Sequence, residues 1–254
     1  MTFSLTDLVR GLRDFRLATF PVTMIAITAA GLYIFLAIAD EMAEGEIDAF
    51  DTRLLLSLRN PSDPSDPLGP PWLEETALEI TALGGYPLIL LTVAAVIGFL
   101  LVTRRPGPAL YAFLSVAGGT AVSQFLKSFY DRPRPDLVAH LDTIHTASFP
   151  SGHAMMSAVA YLTLAGLIVR IVESRAARAY VLTVAVLVSL SVGVSRVYLG
   201  VHWPSDVVAG WALGVAWASV AWLALSLMMR MRRDPNVDGS PKTGTGRGGE
   251  NNAA

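Results

Sequence analysis

The chain has 254 residues, 53% of them hydrophobic and only 16% charged, with a mean hydropathy of +0.50, a balance beyond the need of a soluble core that places it among membrane proteins. A formal net charge of -2 and short, scattered Lys and Arg clusters give nucleic acid no footing as a partner. With no cysteine, there is no disulfide framework and no thiolate to hold a metal or attack a substrate.

Residues 1–16 set Arg10, Arg13 and Arg16 among Leu5, Leu8, Leu12 and Phe15, a spacing that predicts a short amphipathic helix on a membrane surface. The uncharged run from Leu17 to Ala39 is long enough to span a bilayer and too long for a signal-peptide core, so it predicts an uncleaved first crossing. Residues 40–79 hold eleven of the 21 acidic residues and a proline-rich stretch over 60–71. They predict a solvated loop carrying one short surface helix near Asp48 to Leu58. Five further apolar runs follow: Ile80–Val102, interrupted at Gly84-Gly85-Tyr86-Pro87, then Ala109–Leu126, Ala154–Val169, Ala179–Val194 and Val207–Met229. Residues 234–254 are polar and glycine-rich, a composition expected to stay disordered. The expected architecture is all-α: a cytoplasmic amphipathic N-terminus over 1–16, a domain of six transmembrane helices over 17–233, and a cytoplasmic tail over 234–254.

Six crossings put both termini on one side, and charge chooses the side. Arg10, Arg13, Arg16, Arg104, Arg105, Arg170, Arg175, Arg178, Arg230, Arg232, Arg233, Lys242 and Arg247 fall on one face, thirteen of the 19 basic residues, so that face is expected to be cytoplasmic. Arg53, Arg59, Lys127, Arg132, Arg134 and Arg196 fall opposite. The protein is thus expected to be multi-pass in the cytoplasmic (inner) membrane, with its chemistry on the extracytoplasmic face.

That chemistry concentrates in two polar stretches at span ends. The segment SRVYLGVHWPSD, Ser195 to Asp206, lies between two apolar runs, and Pro204 with Ser205 and Asp206 reads as a helix start. Asp206 follows His202 by four residues, so its carboxylate is within reach of one ring nitrogen and leaves the other to act as base or nucleophile. The same pattern also suits an interfacial loop with a capping aspartate. Before the fourth run stand Lys127, Arg134-Pro135 and Pro150-Ser151-Gly152-His153. Singly these read as snorkelling anchors and a helix cap. Together they gather cations, a hydroxyl, helix-start amides and a second histidine on one face, an anion site suited to phosphate.

Lys127 with Arg134-Pro135, then Pro150-Ser151-Gly152-His153, then Ser195-Arg196 with His202 and Asp206 resemble, in residues, order and spacing, the three motifs of the type 2 phosphatidic acid phosphatase superfamily. The resemblance implies that Lys127, Arg134 and Arg196 bind phosphate oxygens with Ser151 and the Gly152 backbone. It implies that His202 is the nucleophile, Asp206 its orienting carboxylate and His153 the general acid. No cofactor is implied, and no carboxylate or histidine cluster has metal spacing. The expected activity is hydrolysis of a lipid phosphate or diphosphate through a phosphohistidine, with a phosphorylated lipid and the surrounding membrane lipids as partners. Undecaprenyl diphosphate is the favoured substrate. Phosphatidylglycerol phosphate, phosphatidic acid, lipid A phosphate, transfer to a second lipid, and vanadium-dependent halide oxidation are the alternatives.

Overall fold

The computed structural model describes residues 5–142 and 146–231, with side chains described over 19–142 and 146–228. The helices are α1 (Leu5–Glu44), α2 (Asp48–Leu56), α3 (Pro71–Ala82), α4 (Tyr86–Val102), α5 (Pro106–Tyr130), α6 (Gly152–Ile171), α7 (Arg175–Tyr198) and α8 (Pro204–Met231), and a small antiparallel hairpin pairs β1 (Arg59–Asn60) with β2 (Asp63–Pro67). The protein is an all-α multi-pass membrane protein. Helices α1, α5, α6, α7 and α8 are each long and apolar enough to cross a bilayer, and α3 with α4, bent by 44°, counts as a sixth crossing. Large apolar side chains such as Leu91, Phe99, Phe113 and Leu187 stand exposed on these helices, as they do where the solvent is lipid.

Helix α6 is the axis of the bundle: it packs on α4, α5, α7 and α8, and 56% of its crossing segment is buried, more than in the other four single-helix spans. Its closest neighbour is α8, because Gly210 and Gly214 carry no side chain on the facing stripe. A Cβ at either position would lie 2.7 Å from the carbonyl oxygen of Ser151 or Met155. Small residues four apart are what lets two backbones touch in lipid. On its other flank α8 meets α1, where a Cβ on Gly31 would be 2.6 Å from the Ala212 oxygen. Above these contacts Phe149 stacks on Phe35, centroids 5.6 Å apart, and meets Tyr130 edge-on at 5.0 Å, closing the end of the bundle.

The sequence places the break in the second crossing at Gly84-Gly85, and the structure breaks the helix there. Leu83 ends α3, and Gly85 is extended ahead of Pro87, which has no N–H to continue the ladder. Gly84 also lets the bend pass over the start of α6, where a Cβ would stand 3.2 Å from the His153 oxygen.

The acidic segment departs from expectation. Helix α2 lies where it is predicted, but it is no simple surface helix, since Asp51 and Leu55 are both fully buried. The cause is a partner that local composition does not reveal, the guanidinium of Arg132. Residues 71–82 of the expected loop form α3, so the bent crossing starts earlier than the apolar run does. At the N-terminus, residues 5–16 are helical and run on into α1 without a break. How their faces sit, and the expected disorder of residues 234–254, lie outside the described residues.

Candidate active site

Four helix ends converge at one end of the bundle. Helix α5 stops just after Lys127 because Asp131 takes the left-handed conformation (φ 42°) and Pro133 and Pro135 cannot continue it. The following loop folds back over the helix end. Lys127 Nζ donates to the Ala147 oxygen (2.6 Å), Arg134 Nε to the Thr146 oxygen (2.8 Å), and the Ser148 N–H to the Arg132 oxygen (2.8 Å). Helix α6 then starts at Ser151, whose hydroxyl oxygen accepts from the Ala154 N–H (3.5 Å) while its own N–H donates to the Asp206 oxygen (3.0 Å). Helix α7 ends at Tyr198, the chain turns at Gly200 (φ 74°), and α8 begins at Pro204. All eight residues singled out from the sequence lie at this end.

His202 is 1% exposed. Its Nε2 lies 3.2 Å from Arg134 Nη1, and a guanidinium only donates, so Nε2 accepts and the ring proton belongs on Nδ1. Nδ1 in turn faces Asp206 Oδ2 and Ser148 Oγ, each at a long 3.4 Å. Asp206 is held from both oxygens: Oδ2 accepts from the Ser148 hydroxyl and from the Trp203 N–H (2.9 Å), Oδ1 from Arg132 Nη1 (2.8 Å). Burial, then the charges of Arg134, Lys127, Arg196 and His153, hold the His202 imidazole well below the usual histidine range. The neutral, nucleophilic form is therefore the resting one.

Arg134 stands on the Nε2 side, and the charges of Lys127 and Arg196 also act on the ring. Lys127 and Arg196 are both buried, and Arg196 Nη1 donates to Asp142 Oδ2 (2.7 Å) and Thr81 Oγ1 (2.9 Å). Its Nε and Nη2 are buried with no hydrogen-bond partner among the described residues, a costly arrangement unless an anion accepts from them. Arg134 Nη1 also donates to the Val201 oxygen (2.5 Å), and burial together with Arg196 holds its guanidinium below the usual arginine range, to about 10. Gly152 sits against Lys127, where a Cβ would come 3.3 Å from Cε and 3.7 Å from the Ser123 hydroxyl. The α6 N-terminus thus opens on the lysine. His153 is half-buried on the first turn of α6.

Several residues that sequence reasoning passed over complete this site. Arg132 and Ser148 hold Asp206, Asp142 and Thr81 hold Arg196, and Asp51 holds Arg132 (Nη2 to Oδ2, 2.9 Å). Ser123, fully buried one turn before Lys127, has no partner for its hydroxyl among the described residues. Arg132 stands two positions before Arg134 in the same Pro-rich run, a signal within reach of the sequence. The distant Asp51 left none.

The sequence pattern of the PAP2 superfamily matches residues 108–230. Phosphatidylglycerophosphatase B of Bacillus subtilis (strain 168) is 33% identical over 146 residues, 57% of this chain and 71% of that protein. Decaprenylphosphoryl-5-phosphoribose phosphatase of Mycobacterium tuberculosis is 32% identical over 125 residues, 48% of this chain and 64% of that protein. Among solved structures, the crystal structure of a transmembrane PAP2-type phosphatidylglycerolphosphate phosphatase from Bacillus subtilis superposes with a TM-score of 0.68 at 26% identity, covering 81% of this chain and 98% of that one. The helical bundle, the three motifs meeting at its end and these likenesses agree: the chain belongs to the PAP2 superfamily.

Proposed function

We propose that this chain is a membrane phosphatase that removes a phosphoryl group from a lipid phosphate or diphosphate at the outer face of the cytoplasmic membrane, through a phosphohistidine at His202 and without a metal ion. One observation carries the reading. The Nε2 lone pair of a neutral, buried histidine meets the Arg134 guanidinium at 3.2 Å, with the charges of Lys127 and Arg196 also acting on the ring, while a carboxylate stands 3.4 Å from the opposite nitrogen.

In the first step His202 Nε2 attacks phosphorus, the bond from phosphorus to the lipid oxygen breaks, and His153 gives its proton to that oxygen. Asp206 accepts the Nδ1–H and stabilises the ring as it becomes cationic. In the second step a water attacks phosphorus and gives a proton to His153, and the phosphorus–nitrogen bond breaks to release phosphate. Lys127, Arg134 and Arg196, with the Ser151 hydroxyl and the Gly152 amide, hold the phosphoryl oxygens throughout. Phosphoryl transfer asks mainly for position and charge, and three cations supply here what a metal supplies elsewhere.

Both termini are cytoplasmic in this reading, and the site opens at headgroup level, where a lipid reaches it from the bilayer. The pocket grips phosphate and not the tail. The relatives themselves carry names for a glycerophospholipid and for a polyprenyl-linked sugar phosphate, so undecaprenyl diphosphate and phosphatidylglycerol phosphate are the two substrates to compare first.

The test is phosphate release by the purified full chain in detergent, with a strong chelator present, from undecaprenyl diphosphate, phosphatidylglycerol phosphate, phosphatidic acid and lipid A phosphate, beside His202→Ala. Release from at least one lipid by the wild type alone is expected. Turnover of none overturns the reading, and a phosphoryl group recovered on a second lipid in place of water assigns a transferase.

A further inference from the structure

Behind Asp206, on the side away from the cations, lies a second buried ion network that the reaction scheme does not use. Arg132 bridges two carboxylates, Asp206 Oδ1 through Nη1 (2.8 Å) and Asp51 Oδ2 through Nη2 (2.9 Å). Asp51 also accepts the Ser205 N–H (2.9 Å) and the Ser205 hydroxyl, and that hydroxyl receives Arg132 Nη1 at 2.8 Å. Asp51 and Asp206 are fully buried, Arg132 nearly so, and the Trp203 ring covers the guanidinium at 5.6 Å. Every charge in the group has a partner. Asp51 comes from α2, more than 150 positions before Ser205, so the network ties the first outer segment of the chain to the start of α8.

We infer that Asp51 is a positioning residue of the phosphoryl-transfer site: by holding Arg132 and Ser205 it fixes Asp206 against His202 and returns the negative charge that Arg132 takes away. The inference rests on the phosphohistidine reading. As His202 gives its lone pair to phosphorus its ring becomes cationic, and the groups that act on it are Asp206, then Arg134, Lys127, Arg196 and His153, with Arg132 beyond Asp206. Arg132 alone neutralises Asp206 and leaves the ring among positive charges only. With Asp51 the group behind the ring has two carboxylates to one guanidinium, and a net negative charge faces the ring when it needs one.

Asp48 provides the internal control. It stands on the same helix and reaches the same Arg132 Nη2, but at 3.4 Å and with its side chain 67% exposed, where solvent screens it.

The experiment compares wild type, Asp51→Asn, Asp48→Asn, Arg132→Gln and the double variant Asp51→Asn with Arg132→Gln, as full chains, on the best lipid found above. Asp51→Asn is expected to lower kcat about tenfold, in the range of couplings within one buried network, with KM unchanged. The acidic limb of its pH profile should move to lower pH, because the lost negative charge makes His202 harder to protonate. Asp48→Asn should stay within about twofold of wild type. Arg132→Gln alone leaves two buried carboxylates without a counter-charge, so adding Asp51→Asn to it should raise kcat. That comparison decides the matter even where Asp51→Asn by itself misfolds. Wild-type kcat and an unmoved acidic limb in Asp51→Asn, or losses that multiply in the double variant, overturn the inference. The underlying reading is tested in the same preparations: with wild-type turnover and a phosphate label on His202 it stands whatever Asp51 does, and without both it falls.

Discussion

The two sides of His202 are built on opposite terms. On the Asp206 side every charged group is matched: Arg132 between two carboxylates, Ser148 and the Trp203 amide on Asp206, Ser205 on Asp51. Among the described residues Lys127, Arg134 and Arg196 share one paired carboxylate, Asp142, and Arg196 keeps two buried nitrogens without an acceptor. A saturated network resists rearrangement, because moving any member strands another in a medium of low dielectric. An under-satisfied one has its donors ready for a group with several oxygens. The contrast separates the groups that hold the histidine from those left with open donors.

Substitutions on the two sides should differ accordingly. The largest effect belongs to the boundary residue. His202→Ala removes the proposed nucleophile, and neither turnover nor acid-labile, alkali-stable phosphate on the protein should be detectable by mass spectrometry. Arg196→Ala comes next, because it strips the unsatisfied side of a fork that solvent cannot replace. A loss in kcat of about 10²–10³, the scale for one oxyanion donor, is expected in steady-state assays, together with weaker inhibition by vanadate.

Acid should expose the same boundary through stability. The folded site keeps His202 neutral, while the unfolded chain takes up a proton below about pH 6.5, so this residue's contribution is lost as pH falls below that value. The slope is at most about 1.4 kcal/mol per pH unit. Thermal unfolding between pH 7 and pH 5 should show it in wild type and a shallower slope in His202→Gln; equal slopes would remove the argument from burial. Within the saturated side, Ser148→Ala deletes one donor to Asp206 and leaves the Arg132 and Trp203 donors in place, so a fall in kcat of about tenfold to a hundredfold is expected, the scale of one hydrogen bond to a charged group. The smallest change should run the other way. Asp142→Asn frees Arg196 Nη1 from its partly exposed counter-charge, and vanadate should bind roughly twofold to fivefold tighter, as befits one solvent-screened ion pair.

What the sequence shows and what it hides divide along similar lines. The crossings are legible because lipid demands long apolar runs, and the break at Gly84-Gly85 because glycine and proline interrupt a helix wherever they fall. The cation side is legible because Lys127, Arg134, Arg196 and both histidines sit in short motifs next to span ends. The saturated side is mostly not. Asp51 looks like one more acid in a segment crowded with them, and nothing local distinguishes it from exposed Asp48. Only the fold brings it to Ser205. Ser148 and Asp142 are hidden for the same reason, since a loop that folds back on itself leaves no period to read. The hairpin over 59–67 is masked by its own Pro and Asp content, which suits an irregular loop equally well.

The glycine contacts between α6 and α8 have a mechanical consequence. His153 and the helix start at Ser151 lie on α6, whereas His202 and Asp206 sit where α8 begins, and the two helices meet through backbone atoms at Gly210 and Gly214. Backbone has no rotamers to yield. When a thinner or thicker bilayer tilts the spans, or lateral pressure squeezes the outer ring of α1, α4 and α5, this pair moves as one body. The spacing between His153 and His202 is thus set by a close backbone contact between two helices, which tilt of the spans has little room to change.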